Sequence, residues 1–136
     1  MARETEGREL DPTLLTAGVT ALLKDPSKGL YFVAETTNDP PTIAGQLLIT
    51  YEWSDWRNGN FWWIQSVYVL EPFRGSGIFK ALFQHVQDLC KDREGVCGLR
   101  LYVDADNARA QEVYKRMGLR PTEYLLFEKD FVLKAE

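Results

Sequence analysis

The chain has 136 residues, 45% of them apolar and 26% charged. That is the balance of one globular domain, and it excludes disorder, a fibrous repeat and a disulfide-dense mini-protein. Lys and Arg number 16 against 20 Asp and Glu, leaving a net charge of −4, which argues against nucleic acid or an anionic membrane as partner.

No apolar run approaches the ~20 residues that span a bilayer. The opening MARETEGREL lacks a signal-peptide core, so a cytoplasmic protein is expected. Cys90 and Cys97 make no disulfide framework, and His85 is the single histidine. Neither cysteine has another metal-ligand type at useful spacing, so no metal is expected.

Asp11-Pro12 opens a helix, with Asp as N-cap and Pro at the first helical position. Leu14, Leu15, Val19, Leu22 and Leu23 recur at helical period until Asp25-Pro26 stops the helix. Residues 29–35 (GLYFVAE) read as a strand. Asn38-Asp39-Pro40-Pro41 is a turn, and residues 43–52 (IAGQLLITYE) read as the second strand of an antiparallel hairpin. Arg57-Asn58-Gly59-Asn60 is the next turn. Residues 61–70 (FWWIQSVYVL) form a strand that is apolar on both faces, as a central strand is.

A helix is predicted from Arg74 to about Asp92, with Ile78, Phe79, Leu82, Phe83, Val86, Leu89 and Cys90 as its buried stripe. Cys97 to Asp104 alternates as a strand. Asn107 to Met117 is a helix closed by Gly118, and Tyr124 to Phe131 reads as a last strand. Strand, helix and strand from 61 to 104 imply a parallel pair beside antiparallel strands, hence a mixed-sheet α/β domain occupying residues 1–136.

The most informative stretch is Pro72-Phe73-Arg74-Gly75-Ser76-Gly77-Ile78-Phe79-Lys80. Two glycines around a small residue let several N–H groups converge just before a helix start, which is a site for a pyrophosphate; Arg74 and Lys80 add positive charge. The bland reading is a tight turn. It is neither a Walker loop nor a G-x-G-x-x-G fingerprint.

Arg74-Gly75-Ser76-Gly77-Ile78 resembles the main signature of the GNAT superfamily of acyl-CoA-dependent N-acetyltransferases, with Phe79 where the family has Gly or Ala. Asn107-x-x-Ala110-x-x-x-Tyr114-x-x-x-Gly118-Leu119 resembles its second signature. The resemblance covers roughly residues 10 to 131. It implies an α/β (α+β) fold: a mixed, mostly antiparallel sheet with a parallel central strand pair flanked by helices, here with the first strand missing.

The resemblance also implies roles. Backbone amides of Arg74, Gly75, Ser76, Gly77, Ile78 and Phe79 would hold the pyrophosphate of acetyl-CoA. The edge of Val67 and Val69 would hold pantetheine, with an N–H there polarising the thioester carbonyl. Asn107 would contact the pantetheine arm, and Tyr114 would protonate the departing thiolate. Tyr114 on helical spacing alone reads as core; the Asn107, Ala110 and Gly118 context turns it toward catalysis. The amine would attack directly, and Cys90 and Cys97 read as buried small residues rather than nucleophiles.

Gln65 on the central strand cannot act as a base, so Glu52 and Asp55 are the candidates, with Glu71 weaker. All four tryptophans fall between positions 53 and 63. Tyr51, Trp53, Trp56, Trp63 and Gln65 are expected to line a pocket for a small cationic amine, although one of Trp62 and Trp63 must fill core. The alternatives are a protein or peptide amine as acceptor, or a non-catalytic acyl-CoA-binding module. The missing strand exposes an edge beside residues 30–35. A homodimer is expected to cover it; the alternatives are that residues 1–10 fold back on it or that the fold tolerates the gap.

Overall fold

Asp11 and Pro12 open the first helix in the computed structural model of the chain, which describes residues 10–133. The Asp11 carboxylate accepts from the N–H groups of Thr13 (2.9 Å) and Leu14 (3.4 Å) and caps α1, Pro12–Lys24. The chain divides into two compact units, Met1–Tyr102 and Val103–Glu136.

The first unit holds one sheet in the order β1 (Leu30–Glu35), β2 (Ile43–Ser54), β3 (Gly59–Val69) and β4 (Val96–Leu101). The pairs β1–β2 and β2–β3 are antiparallel and β3–β4 is parallel. Helix α2, Ile78–Asp92, connects the parallel strands. The sheet is thus mixed and mostly antiparallel, as expected, and among the described residues only α1 precedes its first strand.

Register sorts the side chains. Leu47, Ile49, Trp62 and Ile64 are buried on the face that receives Leu82, Phe83 and Val86 of α2. Each such aliphatic burial stabilises by roughly 1.5–3 kcal/mol. Phe32 joins this layer, its ring 6.5 Å from Trp62 and 5.7 Å from His85. The helix comes so close to β2 that a Cβ on Gly45 would meet Ile78 Cγ2 at 3.0 Å. The other face carries Phe61, buried, between the guanidinium groups of Arg57 and Arg100.

Three expected boundaries are corrected. α2 starts at Ile78 rather than Arg74, because Gly75 (φ 81°) and Gly77 (φ 85°) hold left-handed backbone that a right-handed helix cannot include. β4 ends at Leu101 rather than Asp104. There Asp104 folds a turn instead, accepting from Asp106 N–H at 2.8 Å and, through its carbonyl, from Asn107 N–H at 2.9 Å.

The third correction concerns Tyr124–Phe131, which forms no strand; its residues are irregular and exposed, Phe127 to 89%. Local hydrogen bonds run along it. Tyr124 N–H donates to Thr122 Oγ1, and Asp130 accepts from Val132 and Leu133 N–H. Alternation in the sequence supplies a strand's faces but not the neighbour its ladder requires. Among the described residues β4 is therefore an edge strand. The regular element of the second unit is α3, Ala108–Arg116. Among the described residues no helix is long and apolar enough to cross a membrane.

Candidate active site

After Val69 the chain makes a 3-10 turn, Glu71–Phe73, begun by Pro72, and Arg74 N–H closes it on Glu71 O at 3.2 Å. Gly75 and Gly77 then bend the backbone through positive φ, and Ser76 Oγ donates to Phe73 O. Gly77 caps α2 without a side-chain hydrogen bond, and the first intrahelical bond is Ala81 N–H to Gly77 O, 3.0 Å. The N–H groups of residues 78–80 lie ahead of that bond and point out of the positive end of the helix. A Cβ built on Gly75 or Gly77 would meet nothing within 4 Å. These glycines serve the backbone angle, and the space before them is open to a ligand.

Arg74 is spent partly inside the turn. Its Nε donates to Val69 O at 2.9 Å, and its guanidinium lies 5.3 Å from the Tyr68 ring centroid. Phe79 is half-buried, its ring 6.3 Å from that of Phe83, so it packs along the helix; Lys80 is exposed.

The strand leading to the turn has an open side. β4 pairs with β3 only as far as Ile64–Leu101. Leu70 N–H donates to Ala44 O at 2.8 Å, which makes Gly45–Val69 a non-hydrogen-bonded pair. The N–H and C=O of Val69, and by the two-residue period those of Val67, therefore point away from β2 toward the edge that β4 has left. Between them and the paired part of β3, the register with β2 jumps from Leu48–Ser66 to Ile49–Ile64. Gln65 is the extra residue of this bulge, and it is exposed.

The expected acceptor residues separate. Trp63 stacks at 4.5 Å on Tyr102, close to the bulge. Tyr51 pairs with Trp62 and lies on the opposite face from Trp63. Its hydroxyl donates to Pro26 O at 3.4 Å, and burial pushes its phenol above the usual range. Glu52 stands opposite Phe61, four positions from Gln65, or ~13 Å at ~3.3 Å per residue. It forms an ion pair with Arg100.

Asp55, Trp53 and Trp56 lie still farther out on the hairpin end. Trp53 is 60% and Trp56 84% exposed, and Asp55 accepts from Trp56 N–H at 3.0 Å. The fold thus brings Val67, Val69 and residues 74–80 together, with Gln65 and Trp63 farther back, in the middle of the same strand. It does not bring the hairpin tip to them.

Within the second unit, Asn107 caps α3, its Oδ1 accepting from Ala110 N–H at 3.0 Å. The Asn107-x-x-Ala110 spacing is that of an N-cap and its third residue. Tyr114 is half-buried, and burial raises its phenol above the usual range. Gly118 (φ 94°) ends the helix, with Leu119 N–H returning to Tyr114 O at 3.0 Å. Arg100 and Tyr102 were not singled out from the sequence. The signal was there for Arg100, a lone charge between Leu99 and Leu101 in an apolar strand.

The family described as Acetyltransferase (GNAT) family matches residues 2–119. The chain is 32% identical over 91 residues to a thialysine N-epsilon-acetyltransferase of Bos taurus, covering 63% of this chain. It spans about half the length of that curated relative, 52%.

Among solved structures it resembles a possible acetyltransferase from Clostridium difficile 630, at 43% identity and TM-score 0.84, over 97% of this chain and 85% of that one. It also resembles an aminoglycoside N-acetyltransferase in complex with CoA, at 20% identity and TM-score 0.64, over 87% and 86%. That second likeness is one of fold alone.

Proposed function

This chain belongs to the acetyltransferase (GNAT) family, and from that premise we propose that it transfers an acetyl group from acetyl-CoA to the primary amine of a small, cationic molecule by direct attack. The observation that carries the proposal is the double-glycine turn opening α2 beside the edge of Val67 and Val69 that β4 does not cover. Main-chain N–H groups of residues 75–79 bind the pyrophosphate, the Arg74 N–H expected among them being held instead by Glu71 O, and the edge of Val67 and Val69 binds the pantetheine amides. The co-substrate supplies an acyl group already activated as a thioester.

Each remaining role falls to this chain's own groups. An N–H on the Val67–Val69 edge donates to the carbonyl oxygen as it gains charge; one such donor is worth ~3 kcal/mol. The neutral amine forms the C–N bond, the C–S bond breaks, and the thiolate takes the phenolic proton of Tyr114; the amine nitrogen sheds its extra proton to water, and the phenolate regains one from water. Burial keeps that phenol protonated into the alkaline range. Asn107 contacts the pantetheine arm through the part of its amide that the cap does not use.

Trp63 and the bulge residue Gln65 border the acceptor. The name of the curated relative, a thialysine N-epsilon-acetyltransferase, favours a small amine. The second reading, an acyl-CoA-binding module without turnover, draws support from the engagement of Glu52 by Arg100, which leaves the middle of β3 without a carboxylate. Calorimetry with coenzyme A, followed by thiol release over a panel of polyamines, amino acids and aminoglycosides, tests both readings. Absence of saturable coenzyme A binding overturns the proposal, whereas binding without thiol release from any amine selects the module.

A further inference from the structure

We infer that Arg74 selects the acyl donor: its side chain holds the outward carbonyl of Val69 and gives it up only to a donor that offers a diphosphate in exchange. The inference rests on the proposed transferase reading and adds to it a preference for thioesters of coenzyme A over those of pantetheine alone. It starts from one contact. Arg74 Nε donates to Val69 O at 2.9 Å, and the guanidinium carbon lies 5.3 Å from the Tyr68 ring centroid. The 3-10 turn Glu71–Phe73, closed by Arg74 N–H on Glu71 O at 3.2 Å, brings residue 74 back onto the strand it has just left.

Val69 O is an atom the pantetheine arm needs. Because Leu70 N–H donates to Ala44 O at 2.8 Å, Val69 and Gly45 are a non-hydrogen-bonded pair, and the Val69 C=O points away from β2. β4 pairs with β3 only as far as Ile64–Leu101, so it does not cover that oxygen. An amide chain that joins the edge as a strand places an N–H on it. A carbonyl can accept twice, yet a donor 2.9 Å beyond an outward oxygen lies where the arm must run, so arm and side chain compete.

A diphosphate tips that competition. In Val69 O the guanidinium meets a neutral acceptor, and in Tyr68 a ring face. A diphosphate carries full negative charge, and the forked guanidinium binds phosphate oxygens through two parallel N–H bonds, which a single carbonyl cannot match. Gly75 follows Arg74 directly, and the amides proposed to hold the diphosphate begin there. A donor with a diphosphate therefore draws Arg74 off the strand and opens Val69 O to its own arm. A pantetheine thioester must break the same bond and offers the guanidinium only water in return.

Calorimetry with coenzyme A and with pantetheine, on the wild type, Arg74→Ala and Arg74→Gln, tests the exchange. In Arg74→Ala, coenzyme A should bind about 10–100-fold more weakly and pantetheine about fivefold more tightly, the sizes of a charged and a neutral hydrogen bond. Glutamine carries its amide nitrogen where arginine has Nε, so Arg74→Gln keeps a donor for Val69 O and loses the charge. It should weaken coenzyme A similarly and leave pantetheine at its wild-type affinity. A side chain that only props the turn would move both ligands the same way. Pantetheine affinity that falls or stays unchanged in Arg74→Ala overturns the inference. So does coenzyme A affinity kept in both variants, or an equal loss of both ligands in Arg74→Gln. A wild type that binds no coenzyme A is a separate result, which overturns the transferase reading and this inference with it.

Discussion

Glu52 of β2 and Arg100 of β4 are joined by an ion pair across Phe61 of the intervening β3, with the Arg100 guanidinium carbon 3.6 Å from the ring centroid. The pair ties three strands together at the end of the sheet away from the double-glycine turn. It is more than one-third exposed at Glu52, so its own contribution is under about 1 kcal/mol. Arg100→Ala, which also removes the contact with the ring, should lower the melting temperature by about 2–5 °C. Glu52→Gln should cost similar stability and leave turnover within a few-fold; a hundredfold loss of kcat would instead mark Glu52 as the general base.

Gly77 stands at φ 85° with open space before it. Gly77→Ala should destabilise by about 1 kcal/mol through backbone strain alone, read by denaturant unfolding. Gly77→Glu adds a negative charge where the pyrophosphate is proposed to bind. It should abolish coenzyme A binding in calorimetry while the protein stays folded by circular dichroism. Retained affinity would move the binding site elsewhere.

Tyr114→Phe removes one hydroxyl from a half-buried side chain. Turnover should fall about 100-fold, within the range of a lost general acid, while coenzyme A affinity holds. In the wild type the alkaline limb of the rate profile should lie above pH 10, because burial raises this phenol. Equal turnover in the phenylalanine variant would remove Tyr114 from the reaction.

Stability should fall at high pH. Burial pushes the Cys90 thiol from 9.0 up to about 11, and burial likewise raises the phenols of Tyr51 and Tyr114 above 10.0. Each group holds its proton longer folded than unfolded. Their contribution is complete below about pH 9 and is lost as pH climbs through the folded values. Urea midpoints measured from pH 8 to 11 should therefore decline, and Cys90→Ala should flatten the part of the slope between 9 and 11.

The punctuation of this chain was readable residue by residue. Asp11-Pro12, Gly75-Ser76-Gly77 and Gly118 act through their own backbone angles and capping groups, so each has the same meaning in the sequence and in the fold. The periodicities of residues 43–52, 61–70 and 78–90 likewise named the strands and the helix that cover each other. The same local chemistry led the α2 start astray by four residues, since a glycine pair that curls before a helix looks, in one dimension, like the helix itself.

What sequence periodicity could not supply was partnership. A strand exists only beside another, so Tyr124–Phe131 kept the pattern of one without the ladder, and β4 became an edge. Clustering along the chain also misled at the tryptophans. Neighbours at 51–56 share a stretch of sequence, yet alternation sends Tyr51 and Glu52 to opposite faces, and the hairpin carries Trp53 and Trp56 away from the bulge at Gln65. Distances between strands depend on register, and register is settled by which apolar side chains the folded sheet can bury together.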